Sequence, residues 1–444
     1  MDDILNLMQD LLKKAKQFGA DSADAVLSDS SSVSVSRRLG KQESLMRSEE
    51  SEIGLRVFVG QRQAIVSLSD KSDDALTQAA ERAVAMARAV PEDSFAGIAD
   101  PSQIARDIQD LDLHDPTEIS VEDMNALADR AEAAALAIKG VTNSEGAEFS
   151  QGVERVCFAA TNGFAAGFKS SGFSLSVGVL AGKDTEMESW HDFDSTTYFS
   201  DLASPEDIGR EAGEGAVKAL HPRKGSTKQV PVIFDRHISG GMNGALAAAA
   251  SGSAVARGTT LLKDSLGRKV MAEGMIVTDD PFIKRGARSH PFDAEGILPQ
   301  KRNIIDNGVL TGWLLDLASA RQLGLTTTGN ATRSASSTPY PRAANLYMHP
   351  GKASVEEMIA DIQEGFFVTS MMGSGANLIT GDYSRGAKGF WIEKGKIAYP
   401  VSEMTIAGNI RDMWLNCTPA NDLIFKYGVD APTLLIQGMT VAGA

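Results

Sequence analysis

Cysteine is nearly absent: Cys157 and Cys417 are the only two in 444 residues, and they lie far apart in the chain. They form no metal-type or redox pair and read as buried free thiols in a reducing cytoplasm. Histidine is scarce too. His114, His191, His221, His237, His290 and His349 stand singly, without the close spacing on a rigid element that marks metal sites. Basic residues are outnumbered, 43 Lys and Arg against 58 Asp and Glu, for a net charge of −15. A phosphate backbone calls for clustered Lys and Arg, so nucleic acid is not an expected partner. Long hydrophobic runs are missing as well, since no segment offers about 18 consecutive uncharged apolar residues for a membrane span. The start, MDDILNLMQDLLKKAKQFGA, is acidic and places Ile4, Leu5, Met8, Leu11, Leu12 and Ala15 at helical spacing. It lacks the basic start, apolar run and cleavage site of a secretory signal. These absences lead to the expectation of a cytoplasmic protein with no membrane partner.

What is present suits a soluble globular chain: 43% hydrophobic and 23% charged residues, over a length that calls for two or three domains. A first α+β unit, 1–110 with its linker, is expected from the amphipathic helix, the alternating run Ser32–Ser36 and the strand Ile53–Val59. Gly60-Gln61 and the alternating stretch Ala64–Leu68 read as a hairpin, and a helix follows from about Asp73. Residues Pro91 to Pro116 have no periodicity and read as a linker. A second α+β unit, 115–225, opens with Ser120 and Asp123 capping an alanine-rich helix. It continues through the turn Asn162-Gly163 and the strand Phe173–Val179, and ends in a helix opened by Ser204-Pro205. The third unit, 228–444, is glycine-rich, with the strand Val230–Phe234, an alanine helix after Ser239, a helix Leu314–Leu323, and short strands parted by Asp306-Asn307-Gly308, Gly373-Ser374-Gly375 and Glu393-Lys394-Gly395-Lys396. The fold class is therefore α+β: hairpin-and-helix units followed by a large β-barrel or sandwich-like domain with packed helices.

One stretch carries more than fold. Residues 289–330, SHPFDAEGILPQKRNIIDNGVLTGWLLDLASARQLGLTTTGN, resemble the PmbA/TldE branch of the TldD/PmbA group. Gly19–Asp24, Ser34–Arg37, Gly40–Glu43 and Ile53–Val57 are similar to that family's N-terminal pattern, and Met404–Asn409 to its C-terminal one. The resemblance thus spans nearly the whole chain. It implies a bacterial zinc metallopeptidase family whose catalytic members carry His-Glu-x-x-x-His on a helix and a Cys ligand near the C-terminus.

Here Asn243, Gly244 and Ala248 stand where the resemblance places the first His, the Glu and the second His. The segment matching the Cys region, Tyr427–Ile436, contains no cysteine. A catalytic zinc needs about three ligands from imidazole, carboxylate or thiolate and a base beside its water. Asn is a poor ligand, and Gly and Ala are none. The alanine helix itself reads as packed closely against a neighbour through small side chains. The expectation is a chain with no metal or other cofactor of its own, paired with a TldD-type catalytic subunit that carries the zinc, or with a second copy of itself. Together they would process small or unfolded peptides; the family's substrates are implied to include a peptide-antibiotic precursor and an antitoxin.

Four other residues stand out as cleft or substrate contacts: Asp293, Glu295, Gly329 and Asn330. Asp293 and Glu295, two apart, can act as acid and base on one strand face, bond backbone N–H groups in a turn before Gly296, or line a cleft shared with a partner. Gly329-Asn330 reads as a ligand-contact loop or as a polar turn. Two rival readings remain: a peptidase that uses His237, His290, Asp293 and Glu295, and a nonenzymatic homodimer that binds peptides or regulates, in line with the family's gyrase-modulator label.

Overall fold

The computed structural model describes residues 1–443. Strands β1 (Ser22–Arg38), β2 (Lys41–Val59), β3 (Arg62–Leu68), β4 (Val141–Ala160), β5 (Ala165–Ala181) and β6 (Glu188–Thr196) form one sheet in the order β3-β2-β1-β4-β5-β6. All neighbours are antiparallel. The expected hairpin joins β2 to β3 through Gly60-Gln61, with Gly60 at φ +59 and Val59 opposite Arg62. The spans 1–110 and 115–225 therefore share one sheet, because β1 pairs with β4 from Asp24↔Ala160 to Arg37↔Ala147.

Side-chain alternation decides what each face meets. Ala23, Ala25 and Leu27 of β1 are buried with helices α1 (Asp2–Gln17) and α2 (Asp73–Ala89). Val33 and Val35, on the same parity further along, pack with α3 (Val121–Leu136) and α4 (Pro205–Lys218). All four helices thus lie on one face. Ser72, Ser120 and Ser204 cap α2, α3 and α4 by accepting from backbone N–H groups of the first turn, and Pro205 begins α4.

The other parity holds Asp24, Val26, Arg56 and Phe158, and it meets the C-terminal region. Val26, Phe158 and Phe164 pack with Phe292, and a Cβ on Gly54 would lie 2.0 Å from the Ala335 carbonyl oxygen. Only glycine allows the C-terminal backbone so close to β2. Residues 91–116 carry no helix and only an isolated bridge, Ile104 to Ile297, but they are pinned in place. Arg321 donates to the carbonyls of Phe95 and Ile98 at 3.0 and 2.8 Å, and the Ala105 N–H donates to the Gly296 carbonyl at 2.8 Å.

The C-terminal region is built on a closed barrel. Strand β7 (Lys228–Phe234) lies between strands Glu364–Met372 and Leu434–Gly443, and Asp382–Glu393 and Lys396–Asn409 complete the ring. Pairing of Met404–Ala407 with Thr440–Gly443 closes the five strands. A second, five-stranded sheet, made of Val277–Asp280, Arg302–Asp306, Val309–Leu310, Asn345–Met348 and Val429–Asp430, lies beside it. The fold is α+β with a barrel in its C-terminal part. The helix expected over Leu314–Leu323 is shorter, Leu317–Leu323. Asp316 caps it by accepting from the Ser319 N–H, and the backbone of Leu314 is already bonded to Ala250 and Gly252. No described helix is long and apolar enough to cross a membrane.

Candidate functional site

Helix α5 (Arg236–Ala249) leaves β7 through a single residue, Asp235, whose carboxylate accepts the His237 N–H at 2.9 Å. Small residues bring it against the strand Val429–Asp430. A Cβ on Gly240 would lie 2.5 Å from the Val429 carbonyl oxygen, and Asn243 Nδ2 donates to the Asp430 carbonyl at 2.7 Å. Asn243 is fully buried, and its Oδ1 has no hydrogen-bond partner among the described residues. The alanine helix packs closely through Met242, Asn243, Leu246, Ala249 and Ala250, while a Cβ at Gly244 would meet nothing within 4 Å and Ala248 is exposed. Helix α5 and the segment Tyr427–Ile436 are thus neighbours in space. The side chains there do not fit a zinc ion. Gly244 and Ala248 offer no donor atom, and the Asn243 amide is turned to a backbone carbonyl. The Asp430 carboxylate accepts from the N–H groups of Lys426, Tyr427 and Gly428. Among the described residues no three His, Cys, Asp or Glu side chains group as a metal site.

Asp293 and Glu295 lie on a turn, not on a strand. Asp293 Oδ1 accepts from the N–H groups of Glu295 and Ile297 at 2.9 Å each, and its Oδ2 from Ala331 at 3.1 Å. Glu295 Oε2 accepts from the Leu317 N–H at 2.8 Å. Burial pushes both carboxyls well above the usual carboxylate range; for Glu295 the neighbouring Asp293 adds to it. Asn330 is similarly committed: its Nδ2 donates to Asp279 Oδ2 at 2.8 Å, and its Oδ1 accepts from Thr328 Oγ1 at 2.7 Å. The left-handed residue of that turn is Gly329, φ +68, where a Cβ would come 2.7 Å from Pro299 Cα. Burial pushes Asp279 up to about 6.

A cavity of about 460 Å³ separates the helix-free face of the sheet from the C-terminal region. Val156, Phe168 and Ser170 of β4 and β5 form one wall, and Arg288, Phe292 and Arg342 belong to the other. His290, Asp293 and Asn330 line it; Glu295, Gly329 and His237 do not. His290 Nδ1 lies 3.0 Å from the Arg288 carbonyl, and burial holds its pKa below the usual value. His237 Nδ1 lies 2.5 Å from Asp235 Oδ1 at the start of α5. A second cavity of about 560 Å³ shares Ser171, Thr197, Gly286 and Ala287 with the first and reaches Gly428 and Asp430. The two make one cleft, running from Arg333 to the strand against which Asn243 is buried.

The buried arginines beside this cleft, of which Arg333 lines it, carry no motif in the sequence. Arg56 and Arg333 both bond Asp24, each with a 2.5 Å contact, and all three are buried. Burial opposes the Asp24 charge, but Arg333 and Arg56 outweigh it and hold the carboxyl below its usual pKa. The readable signal was Arg56 itself, a charge inside the apolar strand Ile53–Val59. Both cysteines are buried and unpaired, and burial pushes the Cys417 thiol up to about 12.

Models of the PmbA/TldA metallopeptidase domains match in order: domain 1 over 23–87, the central domain over 114–220 and the C-terminal domain over 227–443. The chain is 38% identical to Metalloprotease PmbA of Escherichia coli O157:H7, over 96% of this chain and 93% of that one. It is 33% identical to the Metalloprotease PmbA homolog of Haemophilus influenzae, over 99% and 98%. Among solved structures, a putative modulator of DNA gyrase from Bacteroides thetaiotaomicron matches with a TM-score of 0.92 at 26% identity, covering 100% of both chains. TldE from Thermococcus kodakarensis matches in fold with a TM-score of 0.87 at 20% identity, over 98% of this chain and 100% of that one. Fold and matches together define the metallopeptidase class. The chain belongs to the PmbA/TldD family.

Proposed function

We propose that this chain is the metal-free partner in a two-subunit zinc peptidase, and that its cleft helps to enclose a small or unfolded peptide. The observation that carries the reading is the chemistry of α5. On this reading Asn243, Gly244 and Ala248 stand where the family resemblance places the catalytic motif, Gly244 and Ala248 offer no ligand atom, and the Asn243 amide is bonded to the Asp430 carbonyl. Zinc and general base then come from a companion chain with the His-Glu-x-x-x-His helix. This chain's own residues bind and orient: the helix-free sheet face supplies an apolar and hydroxyl-bearing wall, and the arginines opposite supply charge. A cytoplasmic setting is part of the same proposal.

The test combines metal content with mixing. The purified chain should hold well under one zinc per monomer and should not cut an unfolded peptide. Addition of a catalytic subunit of the family should give cleavage that a chelator abolishes. Near-stoichiometric zinc that is lost on mutating His237 or His290, or cleavage by the isolated chain with chelator present, would overturn the reading.

A further inference from the structure

We propose that the cleft grips its peptide by a carboxylate, held between the guanidinium groups of Arg288 and Arg342. The inference deepens the peptide-cleft reading above and rests on it. Both residues line the 460 Å³ cavity, and burial, with the Arg342 charge next, holds the Arg288 guanidinium below its usual pKa. Two like charges on one cavity wall, neither held in an ion pair, repel, and an anion seated between them removes the penalty. Most other charged groups near these arginines have partners of their own. Arg333 is neutralised by Asp24, and the Asp293 carboxylate is bonded by three backbone N–H groups. Asp430, which faces Arg288, accepts from three backbone N–H groups of its own turn. Glu154 is exposed on β4, with the Ser28 hydroxyl 3.3 Å away. Arg288 and Arg342 form no ion pair with the described residues.

The geometry suits one fork-shaped recognition. The stem of Arg288 is packed over Gly428, where a Cβ would come 2.5 Å from its Cγ, so the half-buried side chain is supported along its length. Arg342 is exposed and free to close on a ligand. A guanidinium presents parallel N–H donors that match the two oxygens of a carboxylate. Phe292 on the same wall and Phe168 on the opposite one, whose ring centroids are 5.5 Å apart, give an apolar surface for the chain that follows. The carboxylate has two sources in a peptide, its C-terminus and an acidic side chain.

Binding to the full-length chain is measured by fluorescence anisotropy with three N-terminally labelled Ala/Ser peptides: one with a free C-terminal carboxylate, its C-terminal amide, and the amide with one internal Glu. Arg288→Gln and Arg342→Gln should each weaken the free-acid peptide about tenfold or more, and amidation should weaken wild type to a similar degree. Amidation should cost the double variant nothing further. Recovery of binding by the Glu-bearing amide assigns the anion to a side chain, and no recovery assigns it to the C-terminus. Arg342 is exposed, so its variant keeps the fold testable even if Arg288→Gln unfolds; thermal melting checks both. If all three peptides bind wild type and both variants equally well, the carboxylate grip is overturned and the peptide cleft stands. If none binds wild type, both fall.

Discussion

Asn243 donates its side-chain amide to the backbone carbonyl of Asp430, 187 residues further along the chain. The same contact that ties α5 to the strand Val429–Asp430 leaves no room at this position for a larger side chain, because the residue is fully buried. Gly244 and Ala248 are not under that constraint. Gly244 has open space and Ala248 faces outward, so the three positions respond differently to substitution.

Asn243→Ala is expected to lower stability by about 1 kcal/mol, the net worth of one buried hydrogen bond. Ala248→His should stay within about 0.5 kcal/mol of wild type, as exposed positions do. Urea unfolding of both variants checks the contrast. An Ala248→His penalty equal to that of Asn243→Ala would contradict the assigned burial.

Rebuilding the motif with Asn243→His, Gly244→Glu and Ala248→His is expected to give no turnover and weak zinc binding, because about three ligands are needed and the Tyr427–Ile436 segment adds no cysteine. The overpacking cost, roughly 1–3 kcal/mol, should be traceable to position 243 alone. Peptide hydrolysis, elemental analysis and unfolding of the triple and of each single variant separate these effects. Robust activity would place a third ligand within this chain.

Asp24→Ala leaves Arg56 and Arg333 buried without their shared counter-charge, and should cost roughly 3–5 kcal/mol. Arg333 reaches Asp24 from the C-terminal region, so the variant should also loosen the contact between the sheet and that region. Limited proteolysis near Ala335 reads the loosening. An unfolding free energy close to wild type would show that the triad contributes little.

Glu295 and Asp293 bind their protons more tightly in the folded chain, with values raised to about 8 and about 7. A carboxyl raised by folding contributes stability that is fully present below its unfolded value, about 4, and is lost as pH rises through the folded value. Stability should therefore fall as pH rises from about 5 toward 8. Glu295→Gln, which keeps an acceptor for the Leu317 N–H, should flatten that slope. Unfolding midpoints measured across the range check it. A wild-type stability that rises with pH over the same window would refute the assigned shifts.

The parts legible in sequence were those set by local chemistry. Ser120 and Ser204 announced their helices, Gly60-Gln61 its hairpin, and alternation in Phe173–Val179 its buried face, because caps, turns and strand faces depend on residues a few positions apart. Asp293 and Glu295 were legible as a pair, but whether they would act on a substrate or hold a turn was not. Three backbone donors from Glu295, Ile297 and Ala331 bind Asp293, and the last comes from another segment. The clefts were illegible, as were Arg288, Arg333 and Arg342, which line them. Arg333 and Asp24 are 309 residues apart, and no periodicity couples them.

The amino-acid sequence by itself determined the family, the α+β class and the lack of ligand chemistry at Asn243, Gly244 and Ala248, since each of these depends on residue identity and order. The tertiary structure decided which face of the first sheet is left for the C-terminal region, and so where the cleft lies. It also decided that Arg288 and Arg342 share one wall and that Asn243 is spent on Asp430. Those outcomes depend on how strands β1 and β4 pair and how α5 seats against Val429–Asp430, long-range contacts whose energy appears only when distant segments pack together.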